Sequence, residues 1–243
     1  MKIIKLNAID STNSYLINLG KNKELEDQTI VQANEQKKGR GQQGAVWQSV
    51  SQQSLTFSVF KRFDTLSVSA ISSITYAVSL GVQKALKKLL IPKVEIKWPN
   101  DIMSQSKKVA GILIENQVKQ GKIVSSVIGI GINVNEEHFK NLPQAISMRL
   151  ATGAKYNLDE VLYEVSEAVF SELNAIKTNS FSELKTRYEA SLFRKESISV
   201  FETLDGIRFN GKIIGVTDTG ELIIENKDDV LTTYQLKEIK LLF

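Results

Sequence analysis

The sequence predicts an α+β protein, a mixed sheet covered by helices, with a small β-barrel at its C-terminal end. Two observations carry this prediction. Amphipathic helical stripes are interleaved with short apolar runs over most of the chain, and after Phe193 the texture changes to short strands punctuated by glycine turns.

Taken in order, Asp10, Ser11, Thr12 and Asn13 stand just ahead of the apolar Tyr15, Leu16 and Ile17. On their own they form a helix cap, because Asp, Ser and Asn accept hydrogen bonds from the free amides of a first turn. Thr29 to Ala33 and Leu55 to Phe60 read as strands. From Ser67 to Leu90 the residues Ile71, Ile74, Val78, Val82, Ala85, Leu86 and Leu89 recur at helical steps, and Pro92 closes this helix. Val94 to Trp98, Lys108 to Asn116 and Val124 to Asn133 are further strands, the last two joined as a hairpin at Gly121. A second helix covers Leu158 to Ile176, burying Leu158, Val161, Leu162, Val165, Val169, Leu173 and Ile176, with Asn157 and Glu160 as its capping box. A third, weaker helix spans Phe181 to Leu192. Beyond it come strands Ile198 to Glu202, Ile207 to Thr217, Glu221 to Asn226 and Val230 to Gln235. Asp205-Gly206, Asn210-Gly211 and Thr219-Gly220 supply the positive φ angles of their hairpin turns. The expected division is therefore a unit 1–192 followed by a unit 193–243.

Composition narrows the chemistry. The chain has no cysteine and a single histidine, His138, in the polar stretch Asn135 to Lys140. A thiol nucleophile and a disulfide are excluded, a zinc site would need carboxylates almost alone, and a histidine triad would rest on one solvated loop residue. The remaining tools are lysine, arginine, carboxylates and backbone amides, which suit the stabilisation of anions. A net charge of +4 suits a protein that handles phosphates or an acidic partner and is no argument for nucleic acid. Nowhere do eighteen apolar residues run together, and Met1 to Asn7 lacks the core of a signal peptide, so no membrane span and a cytoplasmic location are expected.

Four segments are richer in glycine, amides and charge than connecting loops require. The first is Asp10 to Asn13. The second, Gly39-Arg40-Gly41-Gln42-Gln43-Gly44-Ala45-Val46-Trp47, follows a strand and can turn backbone amides and the Arg40 fork towards an anion, although it lacks the Gly-Lys-Ser/Thr ending of a P-loop. The third is Lys97-Trp98-Pro99-Asn100-Asp101, continued by Lys107-Lys108-Val109-Ala110-Gly111-Ile112-Leu113-Ile114-Glu115. Pro99 ends a strand so that Asn100 and Asp101 are presented beyond it, while Lys108 re-enters the region and Gly111 permits close approach of a ligand. The fourth, Val127-Ile128-Gly129-Ile130-Gly131-Ile132-Asn133-Val134-Asn135, alternates glycine with isoleucine and leaves a shelf on one strand face. Each alone also fits a structural role: a cap, a surface loop, a charged hairpin, a strand thinned for packing.

In this order and spacing the four segments resemble the catalytic domain of biotin protein ligases, from Asp10 to about Leu192 and on into the C-terminal part. The resemblance implies a class II synthetase-like catalytic domain with an SH3-like barrel. It implies activation of biotin with ATP to biotinyl-5′-AMP, then transfer to a lysine of a biotin carboxyl carrier of a carboxylase such as acetyl-CoA carboxylase. By the same resemblance Ser11, Thr12, Asn13 and Gln36 bind the ureido ring, and Gly39, Arg40, Gly41 and Gln42 of the loop also meet biotin. Arg40 and Lys108 surround the carboxylate and α-phosphate, while Gly111 and Ile112 line the pocket. Trp47, Asn100, Gly131 and Asn133, again with Arg40 and Lys108, belong to the ATP side. Arg40, Lys108 and Asp101 are the catalytic set, Asp101 positioning either Mg²⁺ or the incoming lysine.

The physics agrees with that assignment. A carboxylate becomes an electrophile only as a mixed anhydride, and crowding it against a polyphosphate calls for fixed cations. Relatives often carry Gly-Arg-Gly-Arg-Arg-Gly, whereas Gln42 and Gln43 stand here, which implies weaker retention of the adenylate. Only nine residues precede Asp10, too few for a winged helix, so DNA binding is not expected, whereas a homodimer is. A lipoate ligase and a non-catalytic binding module are the competing readings. The Lys97 to Asp101 segment and the Gly-Arg-Gly loop followed by Trp47 speak against the first, and the pair Arg40 and Lys108 against the second.

Overall fold

The computed structural model describes residues 1–243, Thr65 by its backbone alone. The chain forms β1 (Lys2–Ile9), α1 (Thr12–Asn22), β2 (Thr29–Gln36), β3 (Ser54–Ser67), α2 (Ile71–Lys88), β4 (Val94–Lys97), β5 (Asp101–Ser104), β6 (Lys107–Lys119) and β7 (Lys122–Asn133). Then follow α3 (Met148–Thr152), α4 (Leu158–Ala175), α5 (Phe181–Ala190), β8 (Ser199–Thr203), β9 (Arg208–Val216), β10 (Leu222–Asn226), β11 (Leu231–Tyr234) and β12 (Ile239–Leu242). The first seven strands make one mixed sheet in the order β1-β2-β3-β7-β6-β5-β4, with β1 and β2 parallel and the other neighbours antiparallel.

Strand alternation gives the two faces of this sheet different work. Ile30, Leu55, Phe57, Val59, Ile128, Ile130 and Ile132 are buried against the apolar stripes of α2, α4 and α5. Val31 and Val127 point the other way and close a smaller cluster with Leu16 of α1 and Leu25. Helices were expected over one face; α1 lies on the other, and its N-terminus is there for the site.

Helix α2 buries most of the predicted stripe, although Ile71 is exposed and Leu89 only partly buried, and it begins at Ile71 because Ser67 is still paired with Lys122 in the β3–β7 ladder. It ends before Pro92 in a Schellman turn: Leu90 has φ of 60°, Ile91 N–H donates to Leu86 O at 3.0 Å and Leu90 N–H to Lys87 O at 3.0 Å. In α4 the Asn157 side chain accepts from the N–H groups of Asp159 and Glu160, the cap read from sequence. The strands β1, β5 and β12 and the short α3 were not foreseen. β1 is an edge strand with mostly exposed side chains, so it carries no clean alternation, and the other three elements are too short to show a period.

The C-terminal strands form an antiparallel sheet in the order β11-β10-β9-β8-β12. Gly206 and Gly220 turn at positive φ as expected. Asn210-Gly211 does not turn: both residues lie inside β9, paired with Val200 and Ser199. Glycine is needed there for room, since a Cβ would stand 2.7 Å from Ile224 Cγ2 and 2.9 Å from Glu225 O. This sheet rests on the larger unit through Trp98 Nε1–H donating to Gly220 O at 2.9 Å, Ser72 Oγ–H to Asp218 O at 3.0 Å and Val216 N–H to the Glu189 carboxylate at 3.0 Å. Phe201, Ile213, Val216, Leu222 and Ile224 belong to the same continuous core as the helices. No helix is long and apolar enough to cross a membrane.

The crossing of α2 and α4 depends on Gly81, where a Cβ would lie 2.7 Å from Val169 Cα and 3.0 Å from Ala168 O. Gly81→Ala is expected to destabilise the protein by about 1–3 kcal/mol through overpacking, although alanine is the better helix former by about 1 kcal/mol. Urea unfolding checks this: a lower midpoint is the expected result, and a higher one contradicts the packing argument.

Candidate active site

The site is built on the face of the sheet that α1 only partly covers. Along β6 and β7, Gly111 pairs with Gly131 and Leu113 with Gly129. A Cβ at Gly129 would collide with the Asn13 carboxamide, and one at Gly131 with the Trp47 indole. One at Gly111 would stand 3.0 Å from Trp47 Cζ3 and 3.1 Å from Lys108 Cε. The shelf expected from alternating glycines therefore exists, and it seats two parts of the chain itself: the first turn of α1 and the tryptophan of the glycine-rich loop.

The first turn of α1 is held from below. Ser11 is the N-cap, its Oγ accepting from Ser14 N–H at 3.4 Å. Thr12 N–H and Oγ–H both donate to Gln36 Oε1, at 2.8 and 3.1 Å. The buried Ser58 Oγ of β3 lies 2.7 Å from Thr12 Oγ1 and 2.5 Å from Asn13 Oδ1. Asn13 Nδ2–H donates to Glu115 Oε2 at 2.8 Å. Ser11, Thr12 and Asn13 are all buried, so the helix cap and the polar floor of the site are the same residues.

The glycine-rich loop folds back on itself. Trp47 N–H donates to Gly39 O at 3.0 Å, Gly41 N–H to Ala45 O at 2.7 Å, and Arg40 bridges Val46. Gly39 has no room for a Cβ beside Trp47 O, and the tip turns at Gln43 (φ 49°) and Gly44 (φ 85°). Arg40 does not hang free: its guanidinium donates to Glu115 Oε1 at 2.6 Å and to Ser14 Oγ at 3.0 Å. Of Gln42 and Gln43, the first lines the cavity described below, whereas the second is exposed and offers its carbonyl to Lys237 at 3.4 Å.

β4 ends at Lys97, as Pro99 requires, and the Trp98–Pro99 peptide is cis. Asn100 pins the start of β5 to β6, donating its side-chain N–H to Ile112 O and accepting Ile112 N–H at its own carbonyl at 3.2 Å. Asp101 opens β5 rather than lying in a loop, and its carboxylate pairs with Lys108 Nζ at 2.6 Å. The same ammonium stands 5.5 Å from the centre of the Trp47 ring, within cation–π range. Asn133, at the end of β7, spends its Nδ2–H on Ile146 O at 3.2 Å and Lys108 O at 3.4 Å.

Two cavities result. The first, about 560 Å³, is lined by Ser11, Thr12, Asn13, Gln36, Arg40, Gly41, Gln42, Trp47, Asn100, Asp101, Lys108, Gly111, Ile112 and Gly131, and is roofed from the C-terminal sheet by Leu204, Leu236 and Lys240 among others. The second, about 840 Å³, holds Gly39 and Asn133 in its wall. The two share Gln36, Val46, Trp47, Lys97, Asp101 and Lys108. Every residue that the resemblance assigns to biotin, ATP or catalysis lines one cavity or both, although Asn100 and Gly131 line the first rather than the second. Ile112 meets the first cavity along its backbone, since its side chain is packed in the core behind the sheet.

Sequence reading passed over four residues of this region. Lys97 lines both cavities, and burial pushes its ammonium below the usual lysine range, opposed by Asp101 and assisted by Lys108 and Lys240. Glu115 fastens Asn13 and Arg40 together. Ser58 ties α1 to the sheet. Glu136, 2% exposed, lies in the wall of the second cavity, with burial raising its carboxyl above the ordinary value. His138 is exposed at the rim of that cavity. Lys97 and Lys108 give the junction of the cavities a surplus of positive charge over Asp101, and Arg40, paired with Glu115, stands in the wall of the first, an arrangement that suits anionic ligands. Among the described residues no three His, Cys, Asp or Glu side chains are grouped as metal ligands.

Comparison with known proteins follows the same residues. The Biotin/lipoate A/B protein ligase family matches residues 6–133, from β1 to the end of β7. The bifunctional ligase/repressor BirA of Bacillus spizizenii is 29% identical over 238 residues, covering 96% of this chain and 72% of its own. That of Escherichia coli is 38% identical over 130 residues, 53% of this chain and 39% of its own. The solved structure of a biotin protein ligase from Aquifex aeolicus in complex with biotin and ATP superposes with a TM-score of 0.80 at 26% identity, covering 99% of this chain and 98% of that one. Since the family match takes in more than half of the chain, with the first three glycine- and amide-rich segments and the fourth as far as Asn133, this protein belongs to the biotin/lipoate A/B protein ligase family.

Proposed function

We propose that this protein is a biotin protein ligase, which joins biotin to ATP as biotinyl-5′-AMP and passes the biotinyl group to a lysine of a carboxylase's biotin carboxyl carrier. The observation that carries the proposal is the meeting of two cavities at Lys97, Asp101 and Lys108, with a polar floor in one and Trp47 between them. The A. aeolicus structure with biotin and ATP bound, and the Mycobacterium tuberculosis relative named biotin–[acetyl-CoA-carboxylase] ligase, 31% identical over 141 residues, support it.

In this reading biotin lies in the first cavity. Its ureido ring meets Ser11, Thr12, Asn13 and Gln36, and its chain runs past Gly39, Gly41, Gln42, Gly111 and the backbone of Ile112 towards Arg40 and Lys108. ATP occupies the second cavity beside Trp47 and Asn133, with Asn100 and Gly131 at the junction. A carboxylate oxygen of biotin attacks the α-phosphorus, and the bond to pyrophosphate breaks. The repulsion between carboxylate and polyphosphate is what Arg40, Lys97 and Lys108 offset in a site of low dielectric. In the second step the neutral amine of the carrier lysine attacks the acyl carbon and AMP leaves with its electron pair. Holding the two reactants in line supplies most of that acceleration.

Asp101 aligns Lys108 through their 2.6 Å ion pair. A magnesium ion would arrive as the ATP complex, with Asp101 at the junction as the carboxylate able to meet it. Residues 193–243 act as a unit that roofs the first cavity over residues 1–192.

Incubating the protein with a biotin-acceptor domain, Mg·ATP and either biotin or lipoate tests the reading by mass spectrometry. A biotin-sized gain in mass that requires ATP and falls sharply in Lys108→Ala is expected. A lipoate-sized gain, or none, contradicts it. Glu115→Gln addresses the clamp on Arg40 and Asn13: the KM for biotin should rise about fivefold through misplacement of both groups. Unfolding should show a loss within about 1 kcal/mol, since the ion pair is partly exposed. An unchanged KM would remove Glu115 from the site.

A further inference from the structure

Among the described residues, six buried side-chain atoms lack any hydrogen-bond partner, and three of them, Trp47 Nε1, Ser49 Oγ and Glu136 Oε2, belong to residues lining the second cavity. Buried polar atoms are nearly always paired, so this concentration points to a ligand that supplies the partners. Glu136 is the most constrained of the three. Its Oε1 accepts from Ser54 Oγ–H, and Ser54 Oγ in turn accepts from Val50 N–H at 2.8 Å. Its backbone carbonyl accepts from Ser147 Oγ–H at 2.6 Å, and that hydroxyl also caps α3. The carboxyl group is therefore fixed with one oxygen satisfied and the other waiting for a donor, and no lysine or arginine pairs with it.

The chemistry of the wall around it narrows the donor. Val50, Met103, Phe139, Leu142 and Ala145 give the cavity an apolar wall, Lys37 and Lys140 also line it, and Lys97 and Lys108 stand where it joins the first cavity. A phosphate would be repelled by Glu136 and would remain at the lysines. A flat heteroaromatic ring fits the apolar wall, and an exocyclic amine on it is the donor that Glu136 Oε2 lacks.

Resting on the ATP-dependent reading above, we propose that Glu136 is a specificity-determining residue that accepts a hydrogen bond from the 6-amino group of the nucleotide base, and so selects ATP over nucleotides with a 6-oxo group.

The polarity of the site can be reversed with little change of shape. In Glu136→Gln the Ser54 hydroxyl still needs an acceptor, which directs the amide oxygen to Ser54 and the amide N–H donors to the cavity. The variant then faces an amine with a donor and a 6-oxo group with a matching donor.

Biotin-dependent exchange of labelled pyrophosphate into ATP and into ITP, in the wild-type protein and Glu136→Gln, is the test. Wild type should favour ATP over ITP in kcat/KM by about tenfold or more, and Glu136→Gln should lower that ratio by about tenfold or more. A ratio near one in wild type, or a ratio unchanged in the variant, overturns the assignment. Exchange with neither nucleotide in wild type overturns the ligase reading itself and this inference with it. Thermal melting establishes that the variant folds; if it does not, the wild-type ratio alone decides.

Discussion

The arrangement of this protein depends on how closely other groups can approach one face of a two-stranded ribbon. β6 and β7 run side by side through the centre of the sheet, and glycines 111, 129 and 131 strip that ribbon of side chains on the face away from the helical core. Into the space come Asn13 from the first turn of α1 and Trp47 from the end of the glycine-rich loop, both too close to tolerate a Cβ beneath them. On the other face Ile112, Ile130 and Ile132 are buried in the core, so the ribbon is rigid where it supports the site. The same alternation of glycine and isoleucine thus provides both the anchor and the opening.

On that base the charged groups are arranged in pairs that leave a net positive field. Arg40 is held by Glu115 and Lys108 by Asp101, while Lys97 is half-buried, and desolvation, helped by Lys108 and Lys240, weakens its hold on the proton. A chain without cysteine and with one exposed histidine leaves lysine, arginine and carboxylates to line the site, and the first step of the proposed reaction transfers no proton. Forming an acyl phosphate from two anions is limited by their repulsion, and fixed ammonium and guanidinium groups act on that term directly. The C-terminal sheet contributes by covering the first cavity, joined to the larger unit through one continuous core and through the bond from Trp98 to Gly220 O.

Much of this was legible in the sequence where a period or a motif was long enough to read. The stripes of α2 and α4, the Asn157 cap and the β6–β7 hairpin follow from local pattern alone. β1, β5, β12 and α3 escaped because an edge strand or a piece of four or five residues carries no period. Asn210-Gly211 misled because a glycine required for close packing against Ile224 looks the same in sequence as one required for a turn. Every chosen site residue lines a cavity, since the motifs brought them as sets. Lys97 and Glu115 lay inside those motifs without a role, because their partners arrive only on folding: Glu115 meets Arg40 across 75 residues of chain. Glu136 carried no signal at all, as its isolation is a property of the folded cavity.

The bare face of β7 positions the turn of α1 that is proposed to hold biotin. Calorimetric titration of biotin into Gly129→Ala is the sharpest test, because the added methyl group meets the Asn13 carboxamide first. The account predicts affinity weaker by about tenfold or more, as expected for a misplaced binding group, with the melting temperature lowered only slightly. Affinity equal to that of the unaltered protein would contradict it.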